Sequence, residues 1–71
     1  MIEVKSDVSG LVLEILVKKG DQVGKKQALI MLESVKMEIP VESPEAGKVF
    51  EIKVKEEDLV EEGQIVALLE V

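Results

Sequence analysis

Gly10 to Glu33 align without a gap on Gly47 to Glu70, at an offset of 37 residues. Gly10 matches Gly47, Val12 matches Val49, Glu14-Ile15 match Glu51-Ile52, and Val17-Lys18 match Val54-Lys55. Further on, Asp21 matches Asp58, Gln27 matches Gln64 and Leu32-Glu33 match Leu69-Glu70. Two copies are too few for a solenoid, which needs about three or more repeats to cover its open faces. The simpler solution is a closed pair of units related by a two-fold axis.

Each unit reads as strand, turn-rich loop, strand. Leu11, Leu13, Ile15 and Val17 alternate with Val12, Glu14 and Leu16, and Phe50, Ile52 and Val54 alternate with Glu51, Lys53 and Lys55. A period of two marks a half-buried strand. Lys18-Lys19-Gly20-Asp21 carries residues that tolerate turn dihedrals, and Glu56-Glu57-Asp58 is its counterpart. Ala28 to Glu33 and Ile65 to Val71 are apolar runs of strand length. Lys55 to Glu62 is rich in Glu and Lys but stops at Gly63, too short for a stable helix, and reads as loop.

Between the units Met37, Ile39 and Val41 alternate with Glu38, Pro40 and Glu42. Pro40 cannot donate to a ladder, which places this strand at an edge or turns that position to solvent. Ser43-Pro44-Glu45-Ala46-Gly47 is a turn by composition. The expected architecture is all-β: two small antiparallel sheets forming a flattened barrel or sandwich over one domain, residues 1–71. Leu13, Ile15, Val17, Leu29, Met31, Ile52, Val54 and Leu68 are the expected inward residues.

Composition removes several function classes. With 71 residues the core is small and stability modest. No cysteine and no histidine means no disulfide, no thiolate or imidazole metal site and no His-based triad. The absence of cysteine fits a cytoplasmic location. A net charge of -6 repels phosphate backbones, and one Phe without Trp or Tyr offers no stacking platform, so nucleic acid is not an expected partner. No segment is long and apolar enough to span a membrane, and no signal-peptide pattern opens the chain. No acid, base and nucleophile cluster together, which argues against an enzyme.

Midway between the two units lies Glu33-Ser34-Val35-Lys36-Met37-Glu38. A hairpin through Val35-Lys36 would put Lys36 on the symmetry axis, at the tip of a turn. Two-residue hairpins want residues at positive φ, which β-branched Val35 resists. Either the loop is longer, or the strands impose a strained conformation. The plain reading of Lys36 is a solubilising surface charge, and that of Met37 is core packing. From residues alone the conclusion stops at a compact β-domain with a protruding lysine.

From about Val8 to Val71 the chain resembles biotinyl/lipoyl attachment domains, most closely the small free-standing biotin carboxyl carrier type. The resemblance rests on Gly10-Leu11-Val12, Val17 to Asp21, Leu32 to Glu38, Pro44 with Gly47, and Glu62-Gly63-Gln64. In that family biotinylated lysines are framed by Met, whereas lipoylated ones follow Asp and precede a small residue. Met37 matches the biotin pattern; Val35 departs from the Met on the other side, which leaves lipoate open. Lys26 stands where the family often has Gly. The loop from Val17 to Gln27 lacks the protruding thumb of some biotin carriers, so little contact with the biotin ring is expected.

The resemblance implies a non-catalytic carrier. A biotin protein ligase would attach biotin to Lys36, with Val35, Met37, Glu33, Ser34 and Glu38 as recognition residues. The arm would then shuttle a carboxyl group between a biotin carboxylase and a carboxyltransferase. The alternative is a lipoyl carrier serving a 2-oxoacid dehydrogenase or related complex. A structural adaptor of the same fold is a third reading, which the intact Val35-Lys36-Met37 argues against.

Overall fold

The computed structural model describes residues 1–71 and contains eight strands and no helix. They are β1 (Ile2–Lys5), β2 (Gly10–Ile15), β3 (Gln22–Val23), β4 (Ala28–Ser34), β5 (Met37–Glu42), β6 (Gly47–Ile52), β7 (Leu59–Val60) and β8 (Ile65–Glu70). One four-stranded sheet runs β1-β8-β6-β3 and the other β5-β4-β2-β7, with every pairing antiparallel. Shifting the first sheet by 37 residues turns each strand into its counterpart in the second, in the same order. The pseudo-two-fold therefore exchanges the sheets, and each sheet takes strands from both units. No helix is long and apolar enough to cross a membrane.

The duplication extends further upstream than the sequence alignment of Gly10 onward. β1 is the counterpart of β5, Val4 and Val41 are both buried, and so are Ser6 and Ser43. Each serine hydroxyl donates to a carbonyl two residues ahead, Ser6 to Val8 and Ser43 to Glu45. A buried hydroxyl needs such a partner. β5 is an edge strand, one of the two placements that Pro40 allows.

The core comprises fourteen buried residues, centred on Val12, Leu29, Ile30, Leu32, Val49, Val66, Ala67 and Leu69. The expected inward set is correct for Val17, Leu29 and Val54, while Ile15, Met31, Ile52 and Leu68 are half-buried. Leu13 is a correction: it faces solvent, and Val12 beside it is buried. The reason is a bulge. Val12 pairs with Leu32 and Glu14 with Met31, which leaves Leu13 as the extra residue and shifts the alternation by one. Phe50 is the extra residue of the equivalent bulge between Val49 and Glu51, and it too is exposed.

Residues repeated between the units lock the loops. Asp21 and Asp58 accept from the amides of Lys18 and Lys55, each at 3.0 Å. Gln27 and Gln64 do the same for Gly24 and Glu61, at 2.9 and 3.0 Å. Each loop then bonds the opposite unit: the Val49 amide donates to Asp21 and the Val12 amide to Asp58. The segment expected to be loop, Lys55 to Glu62, does turn, but it also contributes the short edge strand β7.

β2 leaves the β4–β5 tip at Gly10, beside Glu33, and runs back toward loop 16–21. That loop bonds Val49, whose ladder partner is Leu69 near the chain's last residues. The Lys36 tip and residues 1 and 71 thus lie at opposite ends of a body about 32 Å long.

Candidate attachment site

β4 and β5 continue their ladder to the last possible pair. Ile39 faces Leu32, Glu38 faces Glu33 and Met37 faces Ser34, so the connection is two residues, Val35 and Lys36. Both adopt positive φ, 51° and 64°. That combination is the mark of a type I′ turn, whose twist matches that of the flanking strands. Of the two alternatives for the turn, strain is the one realised. A β-branched residue at positive φ is an outlier in L-chains and costs about 1–2 kcal/mol. Ladder closure above the buried Leu32 supplies the opposing constraint.

Gly10 makes the tip possible from below. A Cβ there would sit 2.6 Å from the Glu33 carbonyl oxygen, closer than the backbone can tolerate. At its counterpart Gly47 an added Cβ would lie 2.9 Å from the Glu70 carbonyl oxygen. Both glycines let the first strand of a unit press against the last.

Lys36 is exposed and has no ion-pair partner; the one salt bridge in the chain joins Lys53 and Glu51. It has no side-chain hydrogen bond either. Val35 is 90% exposed and Met37 64%, which excludes core packing for Met37. Glu33 and Glu38 are exposed and Ser34 is half-buried. Lys36 and the five residues expected around it for recognition are therefore together on one hairpin. No group of three or more His, Cys, Asp or Glu residues is placed to hold a metal ion.

An amine on a stiff turn, exposed and unpaired, is suited to receiving an acyl group by amide formation. It is equally suited to a partner's active site, because nothing beside it blocks approach. The family described as biotin-requiring enzyme, which groups biotin and lipoyl domains, matches residues 1–69. The chain belongs to the biotin/lipoyl family. Within it this is a carrier domain. A biotinylated protein TB7.3 homolog of Mycobacterium leprae is 51% identical over 39 residues, which cover 55% of each chain. The chain thus spans about half the length of the curated relatives it matches. Pyruvate carboxylase 1 of Caenorhabditis elegans is 51% identical over 35 residues, 49% of this chain and 3% of that one. The Kluyveromyces lactis urea carboxylase structure superposes with a TM-score of 0.91 at 31% identity, covering 96% of this chain and 6% of that chain.

An open groove of about 530 Å³ runs down one flank of the tip, lined among others by Leu11, Glu33, Val35, Leu59 and Glu61. Leu59 is 80% exposed. Its signal lay in the aligned repeats, where Leu59 stands opposite Gln22 and Leu11 opposite Lys48.

Proposed function

We propose that Lys36 carries biotin as an amide, and that residues 1–71 act as one carrier unit within a biotin-dependent carboxylase. The observation that supports this best is the tip itself: a lysine at positive φ, exposed and unpaired, at the end of the long axis. A biotin protein ligase presents biotin as an activated acyl group. Nζ of Lys36, once deprotonated, attacks the acyl carbon, forms the amide and displaces the activating group. Lysine in water is mostly protonated near neutral pH, so the ligase must take up that proton.

When bound, the group supplies the ureido nitrogen that exchanges a carboxyl group between a biotin carboxylase and a carboxyltransferase. This chain's residues contribute position. The type I′ turn holds the arm's base rigid, while the lysine methylenes leave its far end mobile, which raises its local concentration at each partner site. Val35, Met37, Glu33, Ser34 and Glu38 form the surface that a ligase meets first. Relatives named pyruvate carboxylase and urea carboxylase support the reading that acceptor choice belongs to the carboxyltransferase and not to this chain. Met37 beside Lys36 and relatives named as biotinylated favour biotin over lipoate.

The test is incubation with purified biotin protein ligase, biotin and Mg-ATP, in parallel with a lipoate ligase and lipoate. The expected result is a mass gain of one biotinyl group in the first reaction. Gain of a lipoyl group alone would overturn biotin carriage in favour of the lipoyl alternative.

A further inference from the structure

The pseudo-two-fold gives this protein an internal control. The Lys36 end and the opposite end are built from equivalent strands, so any difference between them reflects something other than the fold. At the Lys36 end, β2 and β7 place Leu11 beside Leu59 as ladder partners. At the opposite end, β6 and β3 place Lys48 beside Gln22 in the same relation. Leu59 is 80% exposed and Val35 90%, the two most exposed large apolar side chains in the chain. Both line the groove at the tip's flank.

Nothing in the fold requires Leu59 to be apolar, since Gln22 fills the equivalent place. Exposed apolar side chains gathered in one patch mark an interaction surface. Glu33 and Glu61 border the groove and Glu38 stands across the ladder from Glu33, in a chain of net charge -6. The matching surface on a partner is an apolar socket with a basic rim.

We infer that the Leu11–Val35–Leu59 patch is the docking surface for the enzyme that acylates Lys36. This rests on the attachment reading above. Reach selects this partner over a carboxylase. Bare lysine extends Nζ only about 6 Å from its Cα, by five bonds of about 1.5 Å. An enzyme acting on that amine must therefore bring its own surface against the residues flanking the turn. Once the arm is lengthened, later partners work at greater distance and need not cover the groove.

Leu59→Gln installs the residue of the symmetry mate, and Gln22→Leu is the reciprocal control. Ligation is measured for both with biotin protein ligase from the same host, with thermal melts to confirm folding. Leu59→Gln should lower kcat/KM for ligation about tenfold through KM, the loss expected for one apolar anchor. Gln22→Leu should leave it within about twofold, and added salt should raise KM for the wild type. Unchanged ligation of Leu59→Gln would overturn the inference, as would equal slowing by both variants. Normal ligation with impaired carboxyl transfer would assign the patch to a carboxylase and overturn it too. A wild-type protein that accepts no biotin would instead remove the attachment reading, a result distinct from either.

Discussion

Glu33 lies directly across the β4–β5 ladder from Glu38, two exposed carboxylates on one face of the hairpin that presents Lys36. Counting from the Ser34–Met37 pair that closes the turn, this is a non-hydrogen-bonded pair, the closer of the two ladder geometries. Like charges placed so are destabilising, and no lysine ion-pairs with either. Folding gains nothing from the arrangement, whereas a basic partner surface would. Glu38→Gln should leave stability unchanged or raise it by about 0.5 kcal/mol or less, read as an unchanged or slightly higher melting temperature. Ligation, read by steady-state kinetics, should slow severalfold with KM rising. Undiminished ligation would reduce both glutamates to solvated surface charge.

Val35 is a second place where recognition and stability pull apart. Asn tolerates positive φ far better than a β-branched residue, and it is favoured in type I′ turns. Val35→Asn should therefore stabilise the fold by about 1 kcal/mol in urea denaturation, while ligation falls because the exposed apolar side chain is gone. A destabilised variant would mean that the turn is not held at positive φ.

The loops make a cleaner comparison, because the repeat supplies matched positions. Gly20 has φ of 95° and its counterpart Glu57 74°; Lys26 has 69° and its counterpart Gly63 86°. Each pair has one glycine and one residue that bears the strain. Glu57→Gly and Lys26→Gly should each stabilise by about 0.5–1 kcal/mol, the relief exceeding glycine's unfolded-state entropy. Gly20→Ala and Gly63→Ala should each cost about 1 kcal/mol, although nothing lies within 4 Å of either added Cβ. Thermal melts of the four variants check the sign at each position.

Gly10 is different, since its constraint is contact and not dihedral. Gly10→Ala drives a methyl group against the Glu33 carbonyl and must push β2 away from β4. A loss of about 1–3 kcal/mol is expected, with broadening of amide resonances concentrated at the tip. A wild-type melting curve would contradict the close approach.

Much of this was legible in the residues. The 37-residue offset carried the two-fold, and the run joining the two units carried the candidate tip; the tip itself is not on the axis, because the two-fold exchanges the Lys36 end with the end that holds residues 1 and 71. The Asp and Gln repeats turn out to be loop locks. At Leu13 the period of two points to the wrong face of β2, because a bulge adds one residue without any Gly or Pro to announce it. β1 is not legible in the residues, because only scattered matches, such as Val4 with Val41 and Ser6 with Ser43, precede Gly10. Whether Val35 lengthened the loop or accepted strain depended on how far the ladder closed, which is tertiary information. Leu59 gives no signal of its own, because a single apolar residue in a charged loop has no periodicity.

The most direct measurement is peptide mapping of protein coexpressed with biotin protein ligase, for the wild type and Lys36→Arg. Wild-type protein should carry one biotinyl group, confined to the peptide containing Lys36, and Lys36→Arg should fold with the same circular dichroism and carry none. A biotinyl group on any other lysine, or on the folded Lys36→Arg variant, would contradict attachment at the tip.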